Sequence, residues 1–340
     1  MANYNDVAKL ANVSPTTISH VVNETRFVSE EVREKVLNAM KKLNYQPNLI
    51  ARGLATGKTN TIGLIISDIN NPFFPEIIEG LEDLALKNGY NIFLCNTDYN
   101  IDKAIKSIRA LLRKKVDGII SDSYPAYNKF LMEELLNTNI PVTFIDWDDT
   151  NINADTLHFN FKPGTQKAVD YLVKLGHKKI YFVSGSKNLR TSKVREENFI
   201  DSLKKYKDSG VVYRVFEGNF KLNGGINAAK EIIASGELPN AIICANDITA
   251  IGVMKTFKEE NIDIPEKVSI IGLDNIIFSE LISPSLTTLE YSKHLIGETA
   301  MRLLLNRIKD IKAPKQKIYF TAKLIIREST SVARSEDQVL

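Results

Sequence analysis

Thr16, Thr17, Ser19, His20 and Asn23 fall within the nine residues Pro15 to Asn23, a stretch with no Lys and no Glu. Hydroxyls, an imidazole and an amide on one helical face can exchange hydrogen bonds with base edges and phosphate oxygens in a DNA groove. A solvent-facing helix without that task normally carries charge instead. Taken alone, the spacing also fits a plain helical hairpin.

Other chemistries find less support. His20, His158, His177 and His294 have no metal-ligand spacing, and no Gly-x-Ser-x-Gly occurs. No Gly-x-Gly-x-x-Gly follows the first apolar run. Gly53, Gly57, Lys58 and Thr59 imitate a phosphate loop, but the spacing is one residue short and no strand precedes it. The reading is therefore of no enzyme: no catalytic residue, no metal and no cofactor. His177, in LGHKK, reads as a satisfied turn residue. Cys95 and Cys244 lie in apolar runs and read as small buried hydrophobes in a reducing compartment. Without an apolar leader or a run near 18 residues, the expected location is the cytoplasm.

The elements that must carry the polar face are short. Asn5 is expected to cap a first helix with Val7, Ala8 and Leu10 on its apolar side, and Ala11-Asn12-Val13 makes a turn. Ser14 caps the second helix, Pro15 fits its first position, and Ile18, Val21 and Val22 face inward. Ser29 caps a third helix, with Glu30 and Glu31 in its first turn and Val32, Val36, Met40 and Leu43 closing a bundle. Asn44, Tyr45 and Pro47 end it. Residues 1–46 thus form a helix-turn-helix head. Residues 47–59 read as a hinge, with Leu49, Ile50, Ala51 and Leu54 on a helix too short to stand alone. In a dimer two such helices can pair in a minor groove, Leu54 wedged between base steps.

Charge divides unevenly. Residues 1–58 hold eight basic and five acidic residues, so the whole excess of +3 lies there and the remaining 282 residues sum to zero. That suits a DNA-reading head on a neutral body.

From residue 61 the pattern alternates between helical stretches and apolar runs. The runs are IGLIIS (62–67), NIFLCN (91–96), GIIS (118–121), VTFID (142–146), KIYFVSG (179–185), VYRVFEG (212–218), AIICAND (241–247) and VSIIGLD (268–274). The fold class is α/β: two doubly wound parallel sheets in sequence, with LTTLEY and KIYFTAKLIIR positioned to cross back between lobes. Ligands in such folds lie at the carboxyl ends of the strands. The expected division is a core at 60–329, with a first lobe at about 60–160 and 291–320 and a second at about 161–290 and 321–329. A flexible tail is expected at 330–340.

The chain resembles the lactose/galactose-repressor family of bacterial transcription regulators. The resemblance rests on DVAKLANVS, TTISHVVN, TRFVSEEVREKV, YQPNLIARGL, DINNPFF, LGHKKIYFVSG, CANDITAIG and IGLDNIIFSELISPSLTTL, in that order over residues 3–329. The head is most similar to the purine-repressor branch. The resemblance implies a core like the periplasmic sugar-binding proteins and a homodimer on double-stranded operator DNA, away from membranes. It places DNA contacts at Thr16, Thr17, His20, Asn23, Arg26, Tyr45, Asn48 and Leu54. It places effector contacts at Phe73, Phe74, Asp146, Trp147, Thr191, Arg195, Phe220, Asn246 and Asp274. Pro15 departs from the threonine of the purine branch, so the operator read is its own. Leu189 stands where that branch uses an arginine on its base, and Asn160 where many relatives have aspartate. These departures favour a sugar or sugar phosphate over a purine. Arg195, Asn246 and Asp274 suit vicinal hydroxyls, while Phe73 and Phe220 suit a ring face.

The function implied is an allosteric repressor that grips a pseudo-palindromic operator as a dimer under control of a ligand in the cleft. Two other readings remain: catabolite control, with a phosphocarrier protein as corepressor, and a transport-type solute-binding protein. The attached head argues against the second.

Overall fold

A computed structural model of the chain describes residues 2–23, 26–45, 57–122, 135, 137–146 and 152–333. It divides into two units, Met1–Asn60 and Thr61–Leu340. In the first unit, α1 (Tyr4–Ala11), α2 (Pro15–Asn23) and α3 (Glu30–Lys42) enclose Val7, Ala8, Ala11, Ile18, Val21, Val36 and Ala39. Two expectations for α1 are corrected. Its cap is Asn3, which accepts from the Asn5 and Asp6 amides while Asp6 accepts from the Asn3 amide. Asn5 therefore lies inside the helix. Leu10 is exposed, and Ala11 takes the core place expected for it, because the helix presents Val7, Ala8 and Ala11, at spacings of three and four, to its neighbours. Ser29 holds the cap position of α3 but makes no side-chain capping bond.

The second unit has two lobes. The first takes β1 (Thr61–Ile66), α4 (Phe73–Lys87), β2 (Asn91–Asn96), α5 (Ile101–Arg113), β3 (Gly118–Asp122), β4 (Val142–Ile145) and β5 (Asp155–Asn160). The chain then crosses to α6 (Phe161–Lys174), β6 (Ile180–Ser184), α7 (Arg190–Leu203), β7 (Val215–Glu217) and α8 (Leu222–Ala234). The second lobe continues with β8 (Ala241–Cys244), α9 (Asp247–Glu259), β9 (Ser269–Leu273), α10 (Phe278–Leu281) and β10 (Thr287–Glu290). After that, α11 (Lys293–Lys309) and β11 (Lys317–Thr321) return to the first lobe, and β12 (Lys323–Ile325) goes back to the second.

The first sheet runs β11-β5-β4-β3-β1-β2 with every pairing parallel. The second runs β12-β10-β9-β8-β6-β7, and only β12 is antiparallel to its neighbour. Continuous apolar strands such as Ile180–Ser184 are buried throughout, as a sheet covered on both faces requires. Helix α11 closes on α4 through Gly80 and Gly297, where any Cβ would strike the carbonyls of His294 and Ile77.

Strand β5 has no apolar run to announce it. Asp155, Thr156 and His158 are all buried, and each polar group is answered. Arg307, on α11, grips Asp155 with Nε and Nη2, both at 2.9 Å, and the Thr156 hydroxyl meets His158 Nε2 at 2.8 Å. The run KIYFTAKLIIR is two strands, broken at Ala322, one in each sheet.

The chain is held further along than the tail expectation placed it. Tyr171 Oη meets the Thr330 hydroxyl at 3.0 Å, the Ser331 amide donates to Ser269 Oγ at 3.1 Å, and the Ala333 amide donates to the Leu175 carbonyl at 2.9 Å. Residues 334–340 lie outside the described residues. The same docking uses His177, whose Nε2 lies 2.9 Å from the Ser331 carbonyl oxygen. Burial holds its pKa below the ordinary histidine value, with the Ser331 bond opposing. Folded His177 is thus neutral, whereas the unfolded chain takes up a proton as pH falls through about 6.5. Stability must fall with pH below that value, down to the depressed native pKa. Denaturation midpoints between pH 7.5 and 5 should decline in the natural chain and decline less in His177→Gln. Equal slopes would refute the assignment.

No described helix is long and apolar enough to cross a membrane. Among the described residues, no group of three His, Cys, Asp or Glu could hold a metal ion.

Candidate functional site

The polar face of α2 is built by its cap. Ser14 Oγ accepts from the Thr17 amide at 3.1 Å and lies 2.9 Å from Thr17 Oγ1, so the Thr17 hydroxyl is engaged in starting the helix. Thr16 and Arg26 are exposed, and Ser19 and His20 are half-buried beside buried Ile18 and Val21. Tyr45 packs edge-on against Tyr4, ring centroids 5.8 Å apart, and therefore also closes the small core. Asn23 ends α2, but its side chain lies outside the described residues, as do Asn48 and Leu54.

In the second unit, Phe73, Phe74, Asp146, Thr191, Arg195, Phe220, Asn246 and Asp274 line one cleft between the lobes. Trp147 lies outside the described residues. Each arrives at the carboxyl end of a strand or on the helix that follows. Phe73 and Phe74 open α4 and pack edge-on at 5.5 Å; they belong both to the core and to the cleft wall. Thr191 and Arg195 stand four apart on α7, so they share a face.

Arg195 is the centre of the cleft. Its guanidinium carbon lies 4.5 Å from the Phe161 ring centroid and 5.2 Å from that of Phe220, a cation held between two aromatic faces. Nη1 donates to the Ala245 carbonyl, while Nε is buried with no hydrogen-bond partner among the described residues. Gly185 makes room for this stack, since a Cβ there would strike the Phe220 ring. Asn246 caps α9 by accepting from the Thr249 amide at 2.9 Å and steadies Phe220 by donating to its carbonyl at 3.0 Å.

Asp274 is not a helix cap, because α10 starts at Phe278 with Ile277 before it. Its backbone has φ of 121°, a region L-residues rarely adopt. Burial drives its carboxyl pKa well above the ordinary value, and Arg195 opposes the rise. Beneath it, Asp247 accepts from Thr288 Oγ1 at 2.6 Å, Ser279 Oγ at 2.7 Å and the Ile276 amide at 2.9 Å, which fixes the loop.

Polar side-chain contacts span the lobes. Thr191 Oγ1 donates to Asp146 Oδ2 at 3.2 Å within the cleft, and Lys221 Nζ pairs with Asp98 at 2.9 Å. The second is solvent-exposed and contributes little. Lys293 is buried: its Nζ donates to the carbonyls of Asp274 at 3.0 Å and Asn275 at 2.7 Å, and pairs with Glu76 at 3.2 Å.

The cleft also recruits Ser67, Asn71, Tyr99, Asp122, Phe159 and Leu189. Asp122 ends β3 as Asp146 follows β4 and Asp274 follows β9, so the strand-end rule could have found it. Its carboxylate accepts from the Ser67 amide at 2.5 Å. Tyr99 sits in the loop after β2, where nothing in the sequence marks it, and burial pushes its phenol pKa up. The lining thus sets three carboxyls, Asp122, Asp146 and Asp274, against one guanidinium.

Comparison with known proteins places both units. The family described as bacterial regulatory proteins, lacI family, matches residues 3–48, and that described as periplasmic binding protein-like domain matches residues 169–330. The chain is 38% identical to the HTH-type transcriptional repressor PurR of Pasteurella multocida, covering 97% of this chain and 98% of that protein. It resembles the lac repressor dimer solved with operator and the anti-inducer ONPF, at 27% identity and a TM-score of 0.86, over 97% of this chain and 99% of that one. It also resembles a LacI family transcriptional regulator from Enterococcus faecium solved with bound ribose. That likeness has 27% identity and a TM-score of 0.72, over 81% of this chain and 100% of that one.

Proposed function

The chain belongs to the LacI family of bacterial transcriptional repressors, and from that premise we propose that it grips an inverted-repeat operator as a homodimer under the control of a neutral sugar in its cleft. Thr16, His20, Asn23 and Arg26 read the major groove, and the segment around Leu54 takes the minor groove between the heads. The lac repressor structure, a dimer on operator, supports this arrangement.

The observation that carries the effector class is the cleft itself. Phenyl rings of Phe73, Phe74 and Phe220 suit the flat face of a sugar ring, and Arg195, Asp146, Asp274 and Thr191 suit its hydroxyls. A phosphate dianion would meet three carboxyls and one cation, so the free sugar is favoured over the sugar phosphate. The ribose-bound relative agrees with a small sugar. A purine base is the second reading, favoured by the PurR relatives and by the aromatic walls. Against it, Leu189 offers no donor to a base edge.

Ligand acts by differential affinity for two lobe arrangements, typically worth ~1–3 kcal/mol of coupling. Thr191–Asp146 and the bonds from Lys293 to the Asp274 and Asn275 carbonyls are those a change of lobe angle must remake. The test is a thermal-shift screen of free pentoses and hexoses, their phosphates, and purine bases, followed by gel shift on a selected operator. A ligand at 100 times its dissociation constant adds about 2.7 kcal/mol. A free sugar that raises the melting temperature and alters operator affinity supports the reading. A response to purines alone, or stronger to phosphates, overturns it.

A further inference from the structure

The first sheet separates charge along its strands. At the carboxyl ends, β1, β2 and β4 are followed within two residues by Asp68, Asp98 and Asp146, and β3 ends in Asp122. At the other edge, where all six parallel strands begin, two of the described loops are strongly basic. Arg113, Lys114 and Lys115 lead into β3, and Lys312, Lys315 and Lys317 lead into and open β11. All six are exposed. Among the described residues of these two loops, only Asp117 and Asp310 oppose them.

Strand register puts these loops on one line. Thr61 pairs with Asn91, Ile62 with Gly118, Ile119 with Val142, Thr143 with Asp155, and Thr156 with Lys317. Six strands at about 4.8 Å spacing make an edge roughly 24 Å long, comparable to the width of a duplex. Basic residues in the last turn of a helix favour its carbonyl end, which accounts for Lys87 and Lys309 and in part for Arg113. It does not account for Lys115, Lys312, Lys315 or Lys317, which lie beyond the helices.

We propose that this strand-start edge of the first lobe is a second DNA-contacting surface, taking duplex phosphates outside the bases read by the head. The inference rests on the operator-binding reading above. Two observations choose a polyanion such as DNA. First, β1 starts on this same edge at Thr61, the residue that follows the unit holding the DNA-reading head. Second, the two basic loops open β3 and β11, three places apart in the same sheet, so their exposed cations line one edge as a polyanion requires.

The test uses the full-length chain and two duplexes, a random-sequence 40-mer and an operator obtained by selection. Lys312→Gln/Lys315→Gln/Lys317→Gln, and separately Lys114→Gln/Lys115→Asn, are titrated between 50 and 200 mM salt. Control substitutions are Lys187→Gln/Lys207→Gln/Lys230→Gln, exposed in the second lobe. Each lost phosphate contact flattens the plot of log affinity against log salt by about 0.9. The strand-start variants should bind both duplexes about 10-fold more weakly, with a slope shallower by roughly 2 or more, and the control should match the natural chain. Unchanged affinity and slope in both strand-start variants would overturn the proposal, whatever else the edge binds. If the natural chain bound neither duplex, the operator reading would fall first and this inference with it.

Discussion

Replacing Arg307 by Met should lower the melting temperature by on the order of 10 °C, the largest stability loss expected of any single substitution considered. Its side chain and that of Asp155 are 3% and 2% exposed, and the pair is bidentate. The same guanidinium also donates to the carbonyls of Ile311, Ala313 and Pro314, and Asp155 accepts the Gln316 amide at 2.8 Å. One cation therefore organises both a central strand and the loop that delivers β11 to the sheet edge. Removing it leaves a buried carboxylate without its cation and several carbonyls without a donor, which costs roughly 3–5 kcal/mol. Adding Asp155→Asn to the Met variant removes the stranded charge and should restore part of the loss. Calorimetry of the two single variants and the double variant gives the coupling. A drop of only a degree or two in Arg307→Met would contradict this account.

Arg195→Met should weaken effector binding roughly 100-fold, about 2.7 kcal/mol, while leaving the fold standing. Methionine can occupy the slot between Phe161 and Phe220, so packing survives while the fork of donors is lost. Asp274 then loses the cation that opposes its rise in pKa, and its carboxyl is driven further toward the neutral form. Arg195→Lys keeps the charge without the planar fork and should fall between the two. Calorimetric titration with the sugar giving the largest thermal shift measures all three proteins. Binding within threefold of the natural chain in Arg195→Met would remove Arg195 from the site.

What could be read in advance followed from how plainly each residue declares its environment. Strands such as SIIGL and AIIC are almost wholly apolar and buried throughout, the usual signature of a strand covered on both faces. The missed strand, β5, is the opposite case: Asp155, Thr156 and His158 look like a loop until Arg307, 152 residues later in the chain, supplies the partner that makes burial tolerable. The division at Ala322 was hidden because the two halves of KIYFTAKLIIR are equally strand-like, and only the sheets decide where one ends. In the head, Asn3 and Asn5 are equally good caps by residue type, and Asp6 decides between them by closing a reciprocal box with Asn3. The described effector positions inferred from family resemblance converge on one cleft, with Leu189, marked by the same resemblance, beside them, whereas Tyr99 owes its place to tertiary packing alone. The neutral body was true as a sum and misleading as a picture, because its charges are sorted to opposite ends of one sheet.

The crossing at Ala322 bears on how the protein is made. The first lobe receives its covering helix α11 and its edge strand β11 only after β6 to β10 of the second lobe, whose last strand, β12, follows them. Domains fold as units while synthesis proceeds from the amino terminus, and here the head is spelled out first. A nascent chain therefore carries a finished reader long before the sensor that governs it is whole. Both sheets are complete, and regulation possible, only once β12 has followed β11 off the ribosome.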